Sequence, residues 1–400
     1  MMTKELTFRL LGVAIIVLAV TLILSTFGQV HFFSEYDEGC YLKYATCLGE
    51  KGLSGLTGIF QEFIADQPNW FHPHPLRIGF IILSAAWLKI LGYSLLNLAY
   101  LSLFCFVLFL FFSYYFSRKY LGEQFALLLV ILLAFSPLQL AMARRALMES
   151  AINLFSILAV WLFWDFLKNR NRLKGLLFIA VYTCIILIKE TSLFLIFVFL
   201  SYFLADRFIY RNKIPLKEIA FLLSLPLALG GLVYLVSGAL PYMPDIIRIV
   251  LIPLPADSYA ALFCSGPWYR YLIDFMLLSP WVVILTIGFI FNFFFHRQED
   301  ALSRYFIFVF VLTFIIFTIF LKNVRYMIIL DTPMRLFSLL MLNKIAERAY
   351  PQGAMKLTFA LVILLAFFDC LNFYHLFVGE GIYDPTSFFL LRAKQIIPFN

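Results

Sequence analysis

Charge is what this chain has least of: 14% of its 400 residues are Asp, Glu, Lys or Arg, against about a quarter in an ordinary soluble domain. With 63% hydrophobic residues and a mean hydropathy of +0.93, that shortage excludes a water-soluble fold. Cysteine is scarce too, at six residues, and no disulfide framework emerges. Cys105, Cys184 and Cys370 lie in apolar runs, and Cys40 and Cys47 on one helix would stand about 10 Å apart, too far to bridge. There is no Walker loop, no Gly-rich dinucleotide fingerprint and no Ser–His–Asp arrangement, so a nucleotide-driven enzyme and a triad hydrolase have no support. The apolar runs also lack a row of carboxylates, which counts against a proton-driven pump. The excess of basic residues, +8 overall, falls in short clusters between hydrophobic runs; this is a topology signal and not a nucleic-acid surface.

What the chain does have is a series of apolar runs of roughly 20 residues, the length needed to cross a bilayer as helices. They are too continuous for barrel strands, so the expected fold is all-α: a polytopic integral membrane protein. The first span, about Thr7–Phe27, has no small-residue cleavage site and reads as retained. Lys4 and Arg9 ahead of it place the N-terminus in the cytoplasm. A large first outer loop, about residues 29–94, holds two amphipathic pieces (Glu38–Leu48 and Leu56–Ile64), the Trp70–Pro75 segment, and a short apolar stretch, Leu76–Leu91, interrupted by Arg77 and Lys89.

If Leu76–Leu91 lies in the interface instead of crossing, ten further spans follow: Leu95–Phe116, Phe125–Leu140, Ala151–Leu167, Leu176–Ile188, Ser192–Phe208, Ile219–Ser237, Leu272–Phe295, Tyr305–Leu321, Tyr326–Leu342 and Leu357–Asn372. That register puts the dense basic clusters inside: Arg118 and Lys119; Lys168 to Lys174; Arg207, Arg211, Lys213 and Lys217; Arg297 and Arg304; Lys344, Arg348 and Lys356. The expectation is therefore about eleven transmembrane helices, a module over residues 1–342, and a last span with a short outer tail over 343–400.

The same register collects the unusual polar residues on the outer face. Asp37 and Glu38 open the first outer loop, and a carboxylate at a bilayer boundary is a functional candidate by default. Arg144, Arg145 and Glu149 follow Ser136–Pro137; they read either as interfacial anchors or as a site. Lys189–Glu190 sits between two apolar runs with almost no loop, a tight turn or a site component. Lys322 and Arg325 either anchor or hold a phosphate. Tyr269 and Arg270 belong to an aromatic-belt set, with Arg270 as a further cation. His72 and His74 form a His-x-His without a nearby third ligand, so no metal site is assigned and a divalent metal is left open.

In this order the motifs resemble the GT-C glycosyltransferases, in particular the protein O-mannosyltransferase and aminoarabinose (lipid A) transferase group. The resemblance rests on Asp37-Glu38 with downstream Tyr41 after the first span, His74-Pro75-Leu76 opening the next helix, Arg144/Arg145 to Glu149, Lys189 at a span end, Trp268-Tyr269-x-Tyr271 and Lys322-x-x-Arg325-Tyr326. The group often carries Asp where this chain has Glu149, and its Pro-Pro pair is here His-Pro-His-Pro.

The resemblance implies a GT-C-like fold and transfer of a sugar from a polyprenyl-phosphate donor to an unidentified glycan, lipid or protein acceptor, with inversion, on the outer face of a prokaryotic plasma membrane. It implies Asp37 as proton acceptor, with Glu38 and Glu149 beside it. Arg144, Arg145, Lys189, Lys322 and Arg325 would hold the donor phosphate, and Tyr41, His74, Tyr269, Arg270 and Tyr326 would line the cavity. No cofactor is required beyond the open question of a metal. Membrane lipids surround the chain and no nucleic-acid partner is expected. A transporter or flippase of lipid-linked anions would use the same cations, and a non-catalytic scaffold of this fold is the third reading.

Overall fold

A computed structural model describes all residues except 1, 68–69, 71, 210–214, 253–263, 265, 297–299, 320–321 and 383–400. Residues 383–400 of the expected outer tail, Arg211, Lys213, Arg297 and part of the loop before Arg270 lie outside the described residues, whose regular structure is helical without strands. The helices are α1 (Met2–Thr26), α2 (Asp37–Lys51), α3 (Leu53–Ala65), α4 (Ile78–Leu91), α5 (Leu95–Leu121), α6 (Glu123–Ala134), α7 (Pro137–Ala143), α8 (Glu149–Asn169), α9 (Arg172–Ile188), α10 (Leu195–Phe208), α11 (Leu216–Val236), α12 (Met243–Leu251), α13 (Arg270–Leu278), α14 (Pro280–Phe295), α15 (Ala301–Phe317), α16 (Ile328–Ala349) and α17 (Ala354–Phe373).

Among the described residues six helical segments are long and apolar enough to cross a membrane: Leu6–Gln29, Leu95–Leu121, Glu149–Asn169, Glu190–Phe208, Leu216–Val236 and Pro351–Gly379. A seventh arises if α6 and α7, bent by 62°, count as one span. The protein is thus a multi-pass membrane protein, but helix length does not confirm the expected eleven spans. Two breaks explain part of the difference. The expected span Phe125–Leu140 is interrupted at Ser136, whose hydroxyl caps α7 by accepting from the Gln139 N–H, with Pro137 at the first helical position. The expected span Leu272–Phe295 is likewise two helices, because Pro280 has no N–H to continue the ladder and Ser279 adopts a non-helical φ of −149°. Helix α16 fails on polarity, since Asp331 and Arg335 lie within it.

The chain divides into two compact units. One comprises Met1–His31, Phe106–Arg144 and Gly266–Asn400, and the other Phe32–Cys105 and Arg145–Ser265. In the first unit, α16 packs against α14, α15, α17 and α6, and α17 also against α7. Every residue of α16 from Ile328 to Leu339 is buried, so its polar side chains must find partners inside the protein. In the second unit, α9 packs on α8, α11 and α4, and α4 in turn on α2. Gly79 sets the α4–α9 approach: a Cβ there would lie 2.7 Å from the Leu187 Cβ and 2.8 Å from the Leu187 carbonyl carbon. That close crossing puts Arg77, two residues before Gly79, beside Glu190, two residues after Ile188.

Candidate active site

In the second unit the charged residues are arranged around the start of α2. The loop before it doubles back so tightly that a Cβ on Gly39 would stand 1.7 Å from the Ser34 carbonyl oxygen; Asp-Glu-Gly is thus a folding motif as well as a chemical one. Asp37 is the first residue of α2 and half-buried, where the helix dipole favours a negative charge. Glu38 is 1% exposed and accepts three hydrogen bonds, from the Phe33 N–H at 2.8 Å, the Arg145 guanidinium at 2.7 Å and the Ala146 N–H at 3.0 Å. It joins the loop before α2 to the loop before α8. The Arg145 guanidinium also lies 5.0 Å from the Phe33 ring.

Glu149 opens α8 as Asp37 opens α2 and is fully buried. Its Oε1 stands 3.9 Å from the Lys189 Nζ, an ion pair longer than a hydrogen bond. Next to Lys189, Glu190 accepts a fork from Arg77, Nε at 3.1 Å and Nη2 at 2.9 Å, with the His74 Nε2 at 3.3 Å from the same carboxylate. Arg77 uses its remaining nitrogen to donate to the Tyr41 hydroxyl at 2.7 Å, and that hydroxyl faces the Met148 sulfur at 3.4 Å. Tyr41, Arg77 and Glu190 therefore form one hydrogen-bonded chain, with His74 in ion-pair reach of Glu190. Burial pushes the Tyr41 phenol up, against the opposing pull of Arg77, and the hydroxyl stays protonated. Burial likewise pushes the Cys40 thiol up to about 12, Asp37 adding to the effect, so Cys40 is no thiolate nucleophile at neutral pH. Burial lowers the His72 pKa, although Asp37 and Asp66 pull it the other way. Among the described residues no three His, Cys, Asp or Glu side chains gather into a metal-binding group.

The first unit carries a different set. Arg270 begins α13, with Asp274 one turn on and an Nε–Oδ2 distance of 3.9 Å. A 3-10 turn, Val324–Met327, packs against α13 and is capped by Asn323, whose Oδ1 accepts from the Arg325 N–H at 3.1 Å. Arg270, Lys322 and Arg325 are all buried. Burial lowers the Lys322 pKa, and the nearby charge of Arg270 lowers it further. The Arg325 guanidinium lies 5.4 Å from the Tyr326 ring. Tyr269 is exposed next to Trp268, their rings 5.7 Å apart. Arg144 stands differently: its guanidinium donates to the Thr26 carbonyl at 2.8 Å and the Phe377 carbonyl at 3.3 Å and lies 5.5 Å from the Phe373 ring, tying together the ends of α1 and α17.

Sequence reasoning did not single out Arg77 or Asp274 as site residues, and it named Glu190 only with Lys189, as a tight turn or a site component. Arg77 was visible only as an interruption in an apolar stretch, and its meeting with Glu190 depends on the α4–α9 crossing.

Residues 73–234 match the sequence pattern of the family described as dolichyl-phosphate-mannose-protein mannosyltransferase. No curated protein matches the chain. Among solved structures, ArnT from Cupriavidus metallidurans bound to undecaprenyl phosphate superposes with a TM-score of 0.56 at 13% identity, covering 90% of this chain and 76% of ArnT. The apo state of the same protein superposes with a TM-score of 0.53 at 14% identity, covering 92% and 77%. At such identity the likeness is one of fold, and it spans both units. The chain is a multi-pass membrane protein with the fold of ArnT.

Proposed function

We propose that this protein is a membrane glycosyltransferase that moves a sugar from a polyprenyl-phosphate carrier to an acceptor hydroxyl or amine, with inversion, on the outer face of a prokaryotic plasma membrane. ArnT was crystallised with undecaprenyl phosphate, and the same class of carrier is assigned to this chain. The reaction needs a proton acceptor for the incoming nucleophile and positive charge for the departing phosphate.

Asp37 carries the reading. It is half-exposed at a helix start, while its neighbour Glu38 is buried under three hydrogen bonds. Asp37 is therefore assigned the proton transfer and Glu38 the task of holding the two loops. Glu149, at hydrogen-bond-plus distance from Lys189, is assigned to orient the acceptor.

The charge balance distributes the phosphate contacts. In the second unit each of Arg145, Lys189 and Arg77 faces a carboxylate, respectively Glu38, Glu149 and Glu190. In the first unit Arg270, Lys322 and Arg325 are buried, Arg270 faces Asp274 at 3.9 Å, and the Val324–Met327 turn that carries Arg325 packs against α13, which Arg270 opens. A carrier phosphate is held by several cationic donors on neighbouring elements, so Arg270, Lys322 and Arg325 are assigned to it. Tyr41, His74, Tyr269 and Tyr326 are assigned to the sugar and acceptor surroundings, and Arg144 to a structural tie.

The test is transfer of a labelled sugar from polyprenyl phosphate by purified protein. Asp37→Asn is expected to lower turnover by about 10²–10⁴ with donor binding retained. Full activity in well-folded Asp37→Asn protein would remove the assignment.

A further inference from the structure

The first unit also contains a buried polar network that the proposed chemistry does not use. Its centre is Arg335 in α16, 1% exposed. The guanidinium donates through Nε to Asp331 Oδ1 at 2.9 Å, through Nη1 to Asp369 Oδ2 at 2.6 Å and through Nη2 to the Ser279 hydroxyl at 3.3 Å. Ser279 in turn donates to Asp369 Oδ1 at 2.8 Å, and Gln139 of α7 donates to Asp331 Oδ2 at 3.0 Å.

Two features of its position decide what it can do. Pro333 lies inside α16, between Asp331 and Arg335, and removes the backbone hydrogen bond that would otherwise bind that turn. The missing bond is that from residue 333 to the Ile329 carbonyl, and the Asp331–Arg335 bridge closes the overlapping turn around Pro333. The segment it stiffens follows directly on the 3-10 turn that carries Arg325. Ser279, for its part, immediately follows α13, the helix that Arg270 opens. One guanidinium therefore ties together the two elements that deliver Arg270 and Arg325, and α17 serves as the fixed post through Asp369. The same stretch of α16 is held to α14 by Thr286 donating to the Met334 carbonyl at 3.0 Å and Ser338 donating to the Val282 carbonyl at 3.0 Å.

We infer that Asp331, Arg335, Asp369 and Ser279 are positioning residues for carrier-phosphate binding: they fix the spacing of Arg270 and Arg325 without touching the ligand. The inference rests on the assignment of those cations to the phosphate. Charge-assisted contacts are sensitive to donor placement, so loosening the network is expected to weaken anion binding before it unfolds the protein.

Asp369→Asn is the informative change. It preserves the side-chain shape, leaves an amide oxygen for Arg335 or Ser279, and turns two carboxylates around one guanidinium into a single balanced pair. The measurement is the Kd of the full-length, detergent-purified protein for undecaprenyl phosphate, with thermal unfolding recorded alongside, in a double-mutant cycle with Arg325→Gln. The expected result is a Kd raised about tenfold in Asp369→Asn, unfolding near that of the parent, and no further loss when Asp369→Asn is added to Arg325→Gln.

If Arg325→Gln weakens binding and Asp369→Asn does not, the positioning role is wrong and the cation assignment stands. If Arg325→Gln itself leaves binding unchanged, the cation assignment fails and takes this inference with it. Full additivity of the two changes would also overturn the inference, because Asp369 would then act independently of Arg325. Should Asp369→Asn not fold, Ser279→Ala removes one ligand of the same guanidinium and is read by the same criteria.

Discussion

Glu38 and Asp37 are neighbours with the same chemistry and opposite expected roles, and one pair of substitutions separates them. Replacing Glu38 by Ala strips partners from a guanidinium and two backbone amides, at 2.7, 2.8 and 3.0 Å. Breaking a buried ion pair from one side costs about 3–5 kcal/mol, and the Arg145 side chain is 12% exposed, so water relieves part of that loss and the lower end applies. Glu38→Gln is milder. Its amide oxygen still accepts, but the pair loses its charge and the NH₂ group faces a donor, so about 1–3 kcal/mol is expected. Asp37→Asn at the half-exposed helix start weakens a favourable dipole interaction, about 0.3–1 kcal/mol. The assay is thermal unfolding of purified protein together with single-turnover sugar transfer at a temperature where every variant is folded. The expected order is Glu38→Ala, Glu38→Gln, Asp37→Asn in lost stability, and Asp37→Asn well ahead of Glu38→Gln in lost turnover per folded molecule. Should Glu38→Gln keep parental stability and lose turnover as completely as Asp37→Asn, the division of labour is refuted and Glu38 takes part in the chemistry.

Two other predictions follow from particular distances. Gly79→Ala places a methyl group 2.7 Å from the Leu187 Cβ; it is expected to cost about 1–3 kcal/mol by overpacking and to pull Arg77 away from Glu190, read out as lower thermal stability with activity reduced in step. Lys322 holds its proton less firmly than a free lysine because of burial and Arg270, so between that lowered value and the ordinary value of about 10.4 the unfolded chain binds the extra proton. Stability gains from this group as pH rises through that window, while undecaprenyl phosphate binding weakens over the same window; Lys322→Arg should flatten the binding profile, and an unchanged profile would exclude Lys322 from the phosphate site.

The fold class was legible because lipid leaves few alternatives: apolar runs of spanning length must become helices. Their interruptions were less legible. Ser136–Pro137 and Ser279–Pro280 look like minor features of continuous apolar runs, yet at both points the helix stops, since proline removes a donor and serine caps or breaks the turn. The acidic motif at Asp37–Glu38 was legible from its cost at a membrane boundary, but which carboxylate is buried was not. That depends on Ala146 and Arg145, more than a hundred residues away. Asp331 and Arg335 have helical i, i+4 spacing, but their third partner, Asp369, comes from another helix. A pair can be read from spacing; a network needs the packing.

The charge pattern also says why so many cations are kept in so apolar a chain. A guanidinium or ammonium in a membrane protein interior is costly unless it is paired or has a ligand to meet. Arg145, Arg77 and Lys189 are matched one to one by carboxylates, and Arg335 by two. All but Asp331–Arg335 join segments far apart in sequence, and their desolvation is offset within the protein itself. Arg270 faces Asp274 at 3.9 Å and also stands near a second buried cation, Lys322. The two cations are near enough for Arg270 to lower the Lys322 pKa, after the larger effect of burial. A bound anion turns the repulsion between them into attraction, because one phosphate accepts from both groups at once. The expected signature is that undecaprenyl phosphate stabilises the parent protein against heat in proportion to its occupancy. Lys322→Met, which removes the repulsion, should be as stable as the parent without ligand or more so, and should lose most of the ligand-induced gain. A destabilised Lys322→Met protein with the ligand effect intact would show that the lysine is there for the fold.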